Sequence, residues 1–313
     1  MITNNFTFLS NDGKTAVHAV KWMPHTKEVK GVLQITHGMV EFIERYETFA
    51  KFLTTKGYVV VGHDHIGHGQ SVASKEDLGY FCEKNPSDVL VEDMHKLRNI
   101  VQEEYTDTPY FMLGHSMGSF LLRKYLAVHN NDLYGAVIMG TGFIPEKRTK
   151  AALLLTAIVT RLRGSRHRSK LIQSLAFGSD YREFDMTGKN PANSWLTKDI
   201  YVVQAYYKEP RSSFMFTVNG YKGLFEAVHF SCNPQNAAKL PKDLPLFFVS
   251  GAKDPVGGMG TGVKQAYDMY KEAGMSDLTY RLYENDRHEI LNETDKQTVF
   301  DDILAWMNVR IAI

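Results

Sequence analysis

The pentapeptide at residues 114–118, with the sequence GHSMG, constrains the fold of this chain more than any other feature. It follows the short apolar run YFML at residues 110–113 and precedes an amphipathic stretch, which together predict the order strand, turn and helix. In that setting the serine of a G-x-S-x-G motif occupies a strained turn at the carboxyl edge of a sheet, with its hydroxyl exposed. Ser116 is therefore a candidate nucleophile. Because short motifs also occur by chance, this interpretation depends on the rest of the chain.

The composition is that of an ordinary globular protein. The chain has 313 residues, of which 43% are hydrophobic and 23% charged, enough for one large core. A formal net charge of +1 gives no global field that would attract nucleic acid, so no nucleic-acid partner is expected. Cys82 and Cys232 are too few for a disulfide framework, and we recognise neither a signal peptide nor a membrane-spanning run. We expect a cytoplasmic protein.

Strand-like and helix-like segments alternate along most of the sequence. The segments at residues 6–9 and 16–22 flank an Asn-Asp-Gly turn and predict an antiparallel hairpin. Later strands, such as residues 32–36 and 58–61, are apolar and β-branched runs without polar alternation. Such runs are typical of strands buried on both faces, so we predict an α/β fold with a mostly parallel central sheet and helices on both faces.

The alternation stops after the strand predicted near residue 139. Residues 143–225 are helix-like and rich in basic and aromatic side chains, and no clear strand follows until residue 246. An insertion of this size between strands predicts a helical cap over a functional site. We therefore expect a core made of residues 1–142 and 226–313, with the cap at residues 143–225.

Two further residues complete a candidate catalytic triad with Ser116. A nucleophilic serine needs a base and a group that orients the base. Asp254 follows the predicted strand at residues 246–250 and His288 follows the strand at 278–283, so both should lie at the same sheet edge as Ser116. The chain order Ser, Asp, His is the one expected of α/β-hydrolases.

Other interpretations of these residues stay open. Asp254 precedes a proline and could simply initiate a turn, and Asp277 and Asp286 are rival acids. His288 could be a surface histidine. For the oxyanion, the expected donors are the backbone N–H groups of Met117, directly after the nucleophile, and of Met39, in the loop after the strand at residues 32–36.

Several motifs together resemble the monoacylglycerol lipase and lysophospholipase branch of the α/β-hydrolases, also labelled serine aminopeptidase-like. They are HGMVE at residues 37–41, DHIGHGQS at 64–71, GHSMG at 114–118 and RHEILNE at 287–293, with Arg45-Tyr46 and Gly57-Tyr58 between them. The resemblance covers nearly the whole predicted core. It implies a triad of Ser116, Asp254 and His288 that acts on fatty-acid esters beneath a helical cap.

The chain departs from that family at positions close to the expected substrate. The family's oxyanion segment often has the pattern H-G-x-G-E-H, where this chain has Val40 and Phe42, and Asn285 replaces the glycine that is usual three residues before the histidine. Glu41 and Arg45 could form an ion pair at the start of a helix. In the family this region borders the polar head of the substrate, so they are also candidate substrate-binding residues.

Two other features suggest further functions. His63, His65 and His68 surround Asp64 in a pattern that would suit zinc, but the segment coincides with the family's strand-to-loop motif, so we expect a turn and no metal. Residues 147–170 carry basic but no acidic side chains around an apolar centre. This segment either buries its apolar run against the core or rests on anionic membrane or micelle surfaces.

We therefore predict a serine hydrolase that cleaves carboxylic esters of lipid-like substrates, of the monoacylglycerol or lysophospholipid type, through an acyl-enzyme intermediate. The hydrophobic ester is the expected partner, and no cofactor is expected. The alternatives are another esterase or an aminopeptidase-type serine hydrolase with a non-lipid substrate, and a ligand-binding protein on the same scaffold.

Overall fold

The structure, a computed structural model, describes residues 1–26, 28–129, 132–178 and 180–311. Its strands are β1 (Ile2–Leu9), β2 (Ala16–Met23), β3 (Gly31–Thr36), β4 (Tyr58–His63), β5 (Tyr110–His115), β6 (Gly135–Met139), β7 (Leu246–Gly251) and β8 (Leu278–Tyr283). Its α-helices are α1 (Glu47–Thr55), α2 (Pro86–Glu104), α3 (Met117–Val128), α4 (Glu146–Arg163), α5 (Lys170–Ala176), α6 (Ile200–Lys208), α7 (Val218–Ser231), α8 (Pro234–Ala237), α9 (Thr261–Glu272) and α10 (Lys296–Ile311).

The strands form one eight-stranded sheet in the order β1-β2-β4-β3-β5-β6-β7-β8. Strand β2 pairs antiparallel with β1 and with β4, and the other neighbours are parallel. The predicted hairpin corresponds to β1 and β2, and the bounds predicted for the last strand are those of β8. The predicted α/β fold with a mostly parallel sheet is confirmed.

Helices cover both faces of the sheet, as the unbroken apolar runs predict. Every residue of β3, β4, β5, β6 and β7 is buried. On one face α1 and α10 pack on the sheet, and the ring centroids of Phe49 and Phe300 are 4.9 Å apart. On the other face α2, α3 and α9 contribute buried residues such as Leu97, Leu121 and Ala266. The sheet therefore separates two apolar cores.

The carboxyl ends of the parallel strands carry the loops in which the candidate site residues lie. Ser116 directly follows β5, Asp254 follows β7 and His288 follows β8. Helix α3 packs close to β3 because its first turn contains Gly118. A methyl group added there would lie 2.1 Å from the carbonyl oxygen of Thr36. The second glycine of the GHSMG motif is therefore required by this close approach.

Between β6 and β7 the chain forms α4 to α8, and we keep the name cap for residues 143–225. In the described part of this segment the β pairing is limited to one isolated bridge between Asp185 and Ser194. Helix α7 packs against α2 and α3 of the core and against α4. The predicted end of the cap, at residue 225, falls inside α7. The predicted domain boundaries stay a prediction.

Helix α4 exposes part of its apolar run instead of burying it. Leu154, Ile158 and Leu162 are 63%, 47% and 72% exposed, and their four-residue spacing puts them on one face, which we call the α4 stripe. Leu171 and Leu175 on α5 are also exposed, at 57% and 61%. Among the described helices, none has both the length and the apolar composition of a bilayer-crossing segment.

The carboxylate of Asp64 organises the loop after β4. Oδ1 accepts the N–H of Ile43 at 2.8 Å, and Oδ2 accepts the N–H of Gln70 at 2.8 Å and Nδ1–H of His18 at 3.0 Å. Gly69 has φ 49°, and a methyl group there would lie 2.2 Å from Oδ2. This segment therefore forms the turn that the sequence predicts, built around a fully buried carboxylate.

We expect Asp64→Ala to lower the free energy of unfolding by about 3 kcal/mol, because several buried donors lose their acceptor together. Urea denaturation followed by circular dichroism measures the change. Asp12→Ala is the matched control, because Asp12 also accepts two backbone N–H groups, of Lys14 and Thr15, but is only half-buried. We expect that control to lose about 1 kcal/mol. Equal losses of unfolding free energy in the two variants would contradict the role of Asp64 as the residue that organises this loop.

Candidate active site

Ser116 occupies the turn between β5 and α3. Its backbone has φ 54° and ψ −122°, a strained conformation for a residue with a side chain. Its N–H donates to the carbonyl oxygen of Met139 at 3.0 Å, which ties the turn to β6. Ser116 is partly exposed, whereas His115 and Met117 on either side are buried. These are the features of a nucleophile elbow.

His288 and Asp254 form a buried hydrogen bond. Nδ1 of His288 donates to Oδ2 of Asp254 at 3.0 Å, and the two side chains are 2% and 0% exposed. Asp254 also accepts the N–H of Val256 at 2.8 Å and the hydroxyl of Ser250 at 3.0 Å. Burial alone would raise the pKa of Asp254, but His288 and these donors hold it below its ordinary value. The carboxylate can therefore fix the His288 ring with Nε2 as the proton acceptor.

The rival acids form ion pairs elsewhere. Oδ1 of Asp277 accepts a hydrogen bond from Arg310 at 2.6 Å, and Oδ1 of Asp286 accepts one from Nζ of Lys198 at 2.6 Å. Their carboxylates are therefore engaged by cations rather than by an imidazole. The role of Asp254 in a triad stays a prediction.

His288 lies next to the elbow. Its ring centroid is 4.6 Å from that of His115, the residue before Ser116. A methyl group added at Gly140, which follows Met139, would lie 3.2 Å from Cε1 of His288. Among the described residues no hydrogen bond joins Oγ of Ser116 to His288. In substrate-free enzymes this contact is often long and tightens only when substrate binds.

The loop after β3 lies beside the elbow. A methyl group added at Gly38 would come within 2.9 Å of Cβ of Ser116. The N–H of Gly38 donates to Oε1 of Glu41, whereas no hydrogen bond within the described chain engages the N–H of Met39 or Met117. Backbone donors that remain available beside a nucleophile are what an oxyanion requires. The assignment of Met39 and Met117 as these donors stays a prediction.

Val40 shows how the chain accommodates its departure from the family pattern. It has φ 57°, the region that favours glycine, the usual residue at this position of the pattern. A side chain in this conformation costs about 1–2 kcal/mol. The hydroxyl of Tyr206 in α6 donates to the carbonyl oxygen of Val40 at 3.1 Å. A residue of the cap therefore holds the strained loop in place.

Glu41 and Arg45, the candidate substrate-binding residues, lie in a buried network of charges. Arg45 donates two hydrogen bonds of 2.7 Å to the carboxylate of Glu289 and one of 2.9 Å to Glu41. Glu41 also accepts Nδ1–H of His115 and the hydroxyl of Tyr46, each at 3.0 Å. The predicted ion pair is present. Arg45 is 11% exposed, and its contact with substrate stays a prediction.

The charges of this network stabilise one another. Burial alone would lower the pKa of His115, but the hydrogen bond and the charge of Glu41 raise it above its ordinary value. Burial alone would raise the pKa of Glu41, but His115 and Arg45 hold it well below its ordinary value. The two ring nitrogens of His115 face acceptors, Oε1 of Glu41 at 3.0 Å and the carbonyl oxygen of His288 at 3.3 Å, which favours the protonated ring. Pairing of opposite charges offsets the cost of burying them.

Sequence reasoning did not single out His115 and Glu289. Both stand inside the quoted motifs, directly before Ser116 and directly after His288. A titratable side chain at such a position was the available signal. The contact between Glu289 and Arg45 had no such signal in the sequence, because the two residues are 244 positions apart.

Four buried histidines lie at the end of β4 and in the loops after β3 and β4. The ring centroid of His37 is 4.4 Å from that of His65 and 5.1 Å from that of His68, and His63 is 4.9 Å from His65. Burial lowers the pKa of all four, to about 3 for His63 and for His68. These rings are therefore neutral near pH 7.

The histidines do not form the group of side chains best arranged for a metal. In the described ranges, the ligand atoms that approach within 4.8 Å of one another belong to Asp286, Glu293 and Asp295. Nζ of Lys198 lies among these carboxylates, 2.6 Å from Asp286 and 3.1 Å from Asp295. A lysine thus supplies the positive charge there.

A cavity of about 230 Å³ opens beside Arg45, between the core and α6. Its lining includes Phe42 and Asn292 from the core and Tyr206 from the cap. The guanidinium of Arg45 lies 4.8 Å from the ring centroid of Tyr206. The cavity therefore borders the charged network at Arg45, the partly exposed residue of that network.

Known proteins resemble this chain in both sequence and structure. Residues 27–295 match the family model described as serine aminopeptidase, S33. The chain belongs to this family. A similar protein is the monoacylglycerol lipase of Mycolicibacterium smegmatis, 27% identical over 91% of this chain and 90% of the relative. The monoglyceride lipase of Homo sapiens is 26% identical over 93% of this chain and 86% of the relative.

A solved structure is similar to this chain over nearly its whole length. The thermostable carboxyl esterase from Bacillus coagulans, in complex with glycerol, has a TM-score of 0.89 and 28% identity, and the match covers 99% of both chains. The predicted resemblance and the α/β-hydrolase fold are therefore confirmed.

The neutral buried histidines predict a loss of stability in mild acid. His63 has a pKa of about 3 in the folded chain against 6.5 ordinarily, so below pH 6.5 the unfolded chain binds a proton that the folded chain does not. The contribution of this residue to stability is full above pH 6.5 and falls as the pH decreases towards 3. At about pH 5 the loss is about 2 kcal/mol.

We therefore expect the decrease in stability between about pH 7 and pH 5 to be smaller in His63→Phe than in wild type. Differential scanning calorimetry across this range measures the slope, which does not depend on any uniform effect of the substitution. His167→Asn is the control, because His167 is exposed, and it should keep the wild-type slope. An unchanged slope in His63→Phe would show that this ring does not carry the effect.

Proposed function

We propose that this protein is a serine hydrolase that cleaves carboxylic esters of lipid-like substrates, with a monoacylglycerol as the leading candidate. The observation that carries the proposal is the buried hydrogen bond between Asp254 and His288 beside the strained turn of Ser116. A base held by a carboxylate next to such a serine is the arrangement that acyl transfer requires. Similar proteins named monoacylglycerol lipase, monoglyceride lipase and carboxyl esterase support an ester substrate.

The proposed reaction has two halves, acylation of Ser116 and hydrolysis of the acyl-enzyme, and the same base, acid and oxyanion donors act in both. Nε2 of His288 accepts the proton of Ser116 as Oγ bonds to the ester carbon, and Asp254 stabilises the imidazolium. The N–H groups of Met39 and Met117 hold the oxyanion. The tetrahedral intermediate collapses, His288 protonates the departing alcohol, and the acyl group stays on Ser116. Water then attacks the acyl-enzyme in the same way and releases the fatty acid.

The polar part of the substrate has a candidate position in the cavity beside Arg45. A volume of about 230 Å³ can hold a glycerol-sized group. Arg45 and Asn292 provide donors on its lining, and Tyr206 provides an aromatic wall. Arg45 already donates to two carboxylates. We therefore expect it to contact the polar part of the substrate from the edge of the charged network, and not to form an ion pair with a charged substrate group.

Ser116→Ala should reduce ester hydrolysis by at least about 10⁴-fold, because it removes the hydroxyl that forms the acyl-enzyme in the proposed reaction. The variant should keep the wild-type melting temperature, since the side chain is partly exposed. The measurement is hydrolysis of p-nitrophenyl esters of increasing chain length, a monoacylglycerol and an aminoacyl amide. Faster turnover of the amide than of every ester would favour the aminopeptidase alternative.

A fluorophosphonate probe tests the nucleophile separately. Wild type and Ser174→Ala, which changes an exposed serine of α5, should both be labelled, and Ser116→Ala should not. Folded wild-type protein that resists labelling would favour a ligand-binding protein instead.

We also propose that the cap contacts a lipid surface. The α4 stripe is apolar, and exposed basic residues flank it, with Lys147 and Lys150 before it and Arg161 and Arg163 in the last turn of the helix. An exposed apolar face between cations is suited to anionic membrane or micelle surfaces. Such contact would bring an insoluble ester to the site. Free thiols at Cys82 and Cys232 accord with a cytoplasmic, peripheral location.

The double variant Leu154→Ser, Leu162→Ser should reduce binding to anionic vesicles at least tenfold, because burial of each leucine is worth about 1.5–3 kcal/mol. Flotation with phosphatidylcholine vesicles, with and without phosphatidylserine, measures the bound fraction. Val309→Ser is the matched control, since Val309 is as exposed as Leu154, at 63%, but lies on α10. Equal recovery with neutral and anionic vesicles would remove the electrostatic part of the proposal.

A further inference from the structure

The cap and the loop that carries His288 are joined backbone to backbone. The N–H of His288 donates to the carbonyl oxygen of Trp195 at 3.3 Å, and the N–H of Glu289 donates to that of Leu196 at 2.7 Å. Trp195 and Leu196 precede α6 and belong to the cap. We call residues 192–198 the bracing segment and residues 286–293 the base loop.

Side chains of the base loop reinforce this junction. The guanidinium of Arg287 donates to the carbonyl oxygens of Ser194, of Thr197 at 3.3 Å and of Ala192 at 3.0 Å. The carboxylate of Glu293 accepts the N–H of Arg287 at 2.8 Å and the hydroxyl of Thr197 at 2.9 Å. Both ends of the base loop are therefore bonded to the bracing segment.

The side chain of Trp195 packs on the imidazole of His288. Their ring centroids are 5.0 Å apart and their planes are inclined by 28°, a stacked arrangement. Tyr181 and Phe177 support the indole, with centroids 5.4 Å and 6.3 Å from it. The ring of His115 also lies close to His288, with a centroid distance of 4.6 Å. The orientation of the His288 ring is thus limited by a core residue and by a cap residue.

We propose that Trp195 is a positioning residue for His288, so that the cap takes part in the chemistry through the base. The inference rests on the proposed function, because it requires His288 to be the general base. The stacked indole keeps the imidazole in the plane in which Nδ1 meets Asp254, so that Nε2 stays available for the proton of Ser116 in the proposed reaction. It also excludes water from the ring, which strengthens the buried hydrogen bond to Asp254.

The indole also favours the charge that develops in the reaction. As the O–H bond of Ser116 breaks and an N–H bond forms at Nε2 of His288, the imidazole becomes a cation. A proton on His115, whose ring centroid is 4.6 Å away, would oppose that charge. The face of an indole attracts a cation within about 6 Å of its centroid. Trp195 therefore stabilises the protonated base more than the neutral one, and it should act on turnover rather than on substrate binding.

The test compares Trp195→Phe, which keeps an aromatic face, with Trp195→Leu, which keeps only apolar volume. On a soluble p-nitrophenyl ester we expect kcat to stay within about threefold of wild type in the first and to fall at least about tenfold in the second. KM should change less than about twofold in both. Tyr201→Leu, at an exposed aromatic of α6, is the control and should leave both constants unchanged.

A second readout is the downfield proton resonance of the hydrogen bond between His288 and Asp254, which should persist in Trp195→Phe and broaden in Trp195→Leu. A residue with a merely structural role would lower the melting temperature of both variants without this difference. If Trp195→Leu does not fold, equal kcat in Trp195→Phe and Trp195→Met overturns the proposal.

The outcomes separate the two proposals. Wild-type kcat in Trp195→Leu, with His288→Ala inactive, would overturn the role of Trp195 and leave the proposed function standing. Activity that persists in both His288→Ala and Ser116→Ala would overturn the proposed function itself.

Discussion

The buried ion pair between Arg45 and Glu289 is the contact on which the geometry of the site depends. Its two parallel hydrogen bonds of 2.7 Å join the segment after β3 to the base loop after β8. The first of these segments contains Met39 and the second contains His288. Removal of Arg45 would leave the buried carboxylate of Glu289 without its cation, which is far more costly than loss of an exposed pair. These two hydrogen bonds thus tie the segment of one proposed oxyanion donor, Met39, to the loop of the proposed base, His288.

The cap contacts the same two segments from the other side. Tyr206 donates to the strained carbonyl of Val40, and Trp195 stacks on His288. The core supplies the ends of the strands on which the site residues lie, and the cap supplies the contacts that limit how the connecting loops can move. The site is therefore a product of both parts of the chain, although its candidate reactive groups all belong to the core.

Much of the fold could be predicted because it depends on local pattern. The β-branched run at residues 58–61 lies in β4, and its lack of polar alternation reflects burial on both faces. The positions of Asp254 and His288 after β7 and β8 follow from the same strand assignments. The roles proposed for them follow from the chemistry of acyl transfer.

The remaining features depend on contacts between distant residues. Glu289 meets Arg45 across 244 positions, and no periodicity in the sequence encodes that meeting. The apolar run of α4 was compatible with burial or exposure, because its pattern is apolar nearly all round, and only the packing of α4 on α7 leaves Leu154 and Leu162 outside. Trp195 stands in an irregular segment whose sequence has no helical or strand period, so nothing local places its ring on His288.

The backbone pairing of the bracing segment with the base loop bears on how such a scaffold can be recombined. Consider a chimaera that takes residues 143–225 from one relative and the remainder from another. Its bracing segment and its base loop would come from different proteins, and their contacts would not be matched. The hydrogen bonds of Thr197 with Arg287 and Glu293 join residues that are 90 or more positions apart in the chain. The unit to transfer between relatives is therefore discontinuous in sequence. It consists of the cap together with the base loop that carries His288.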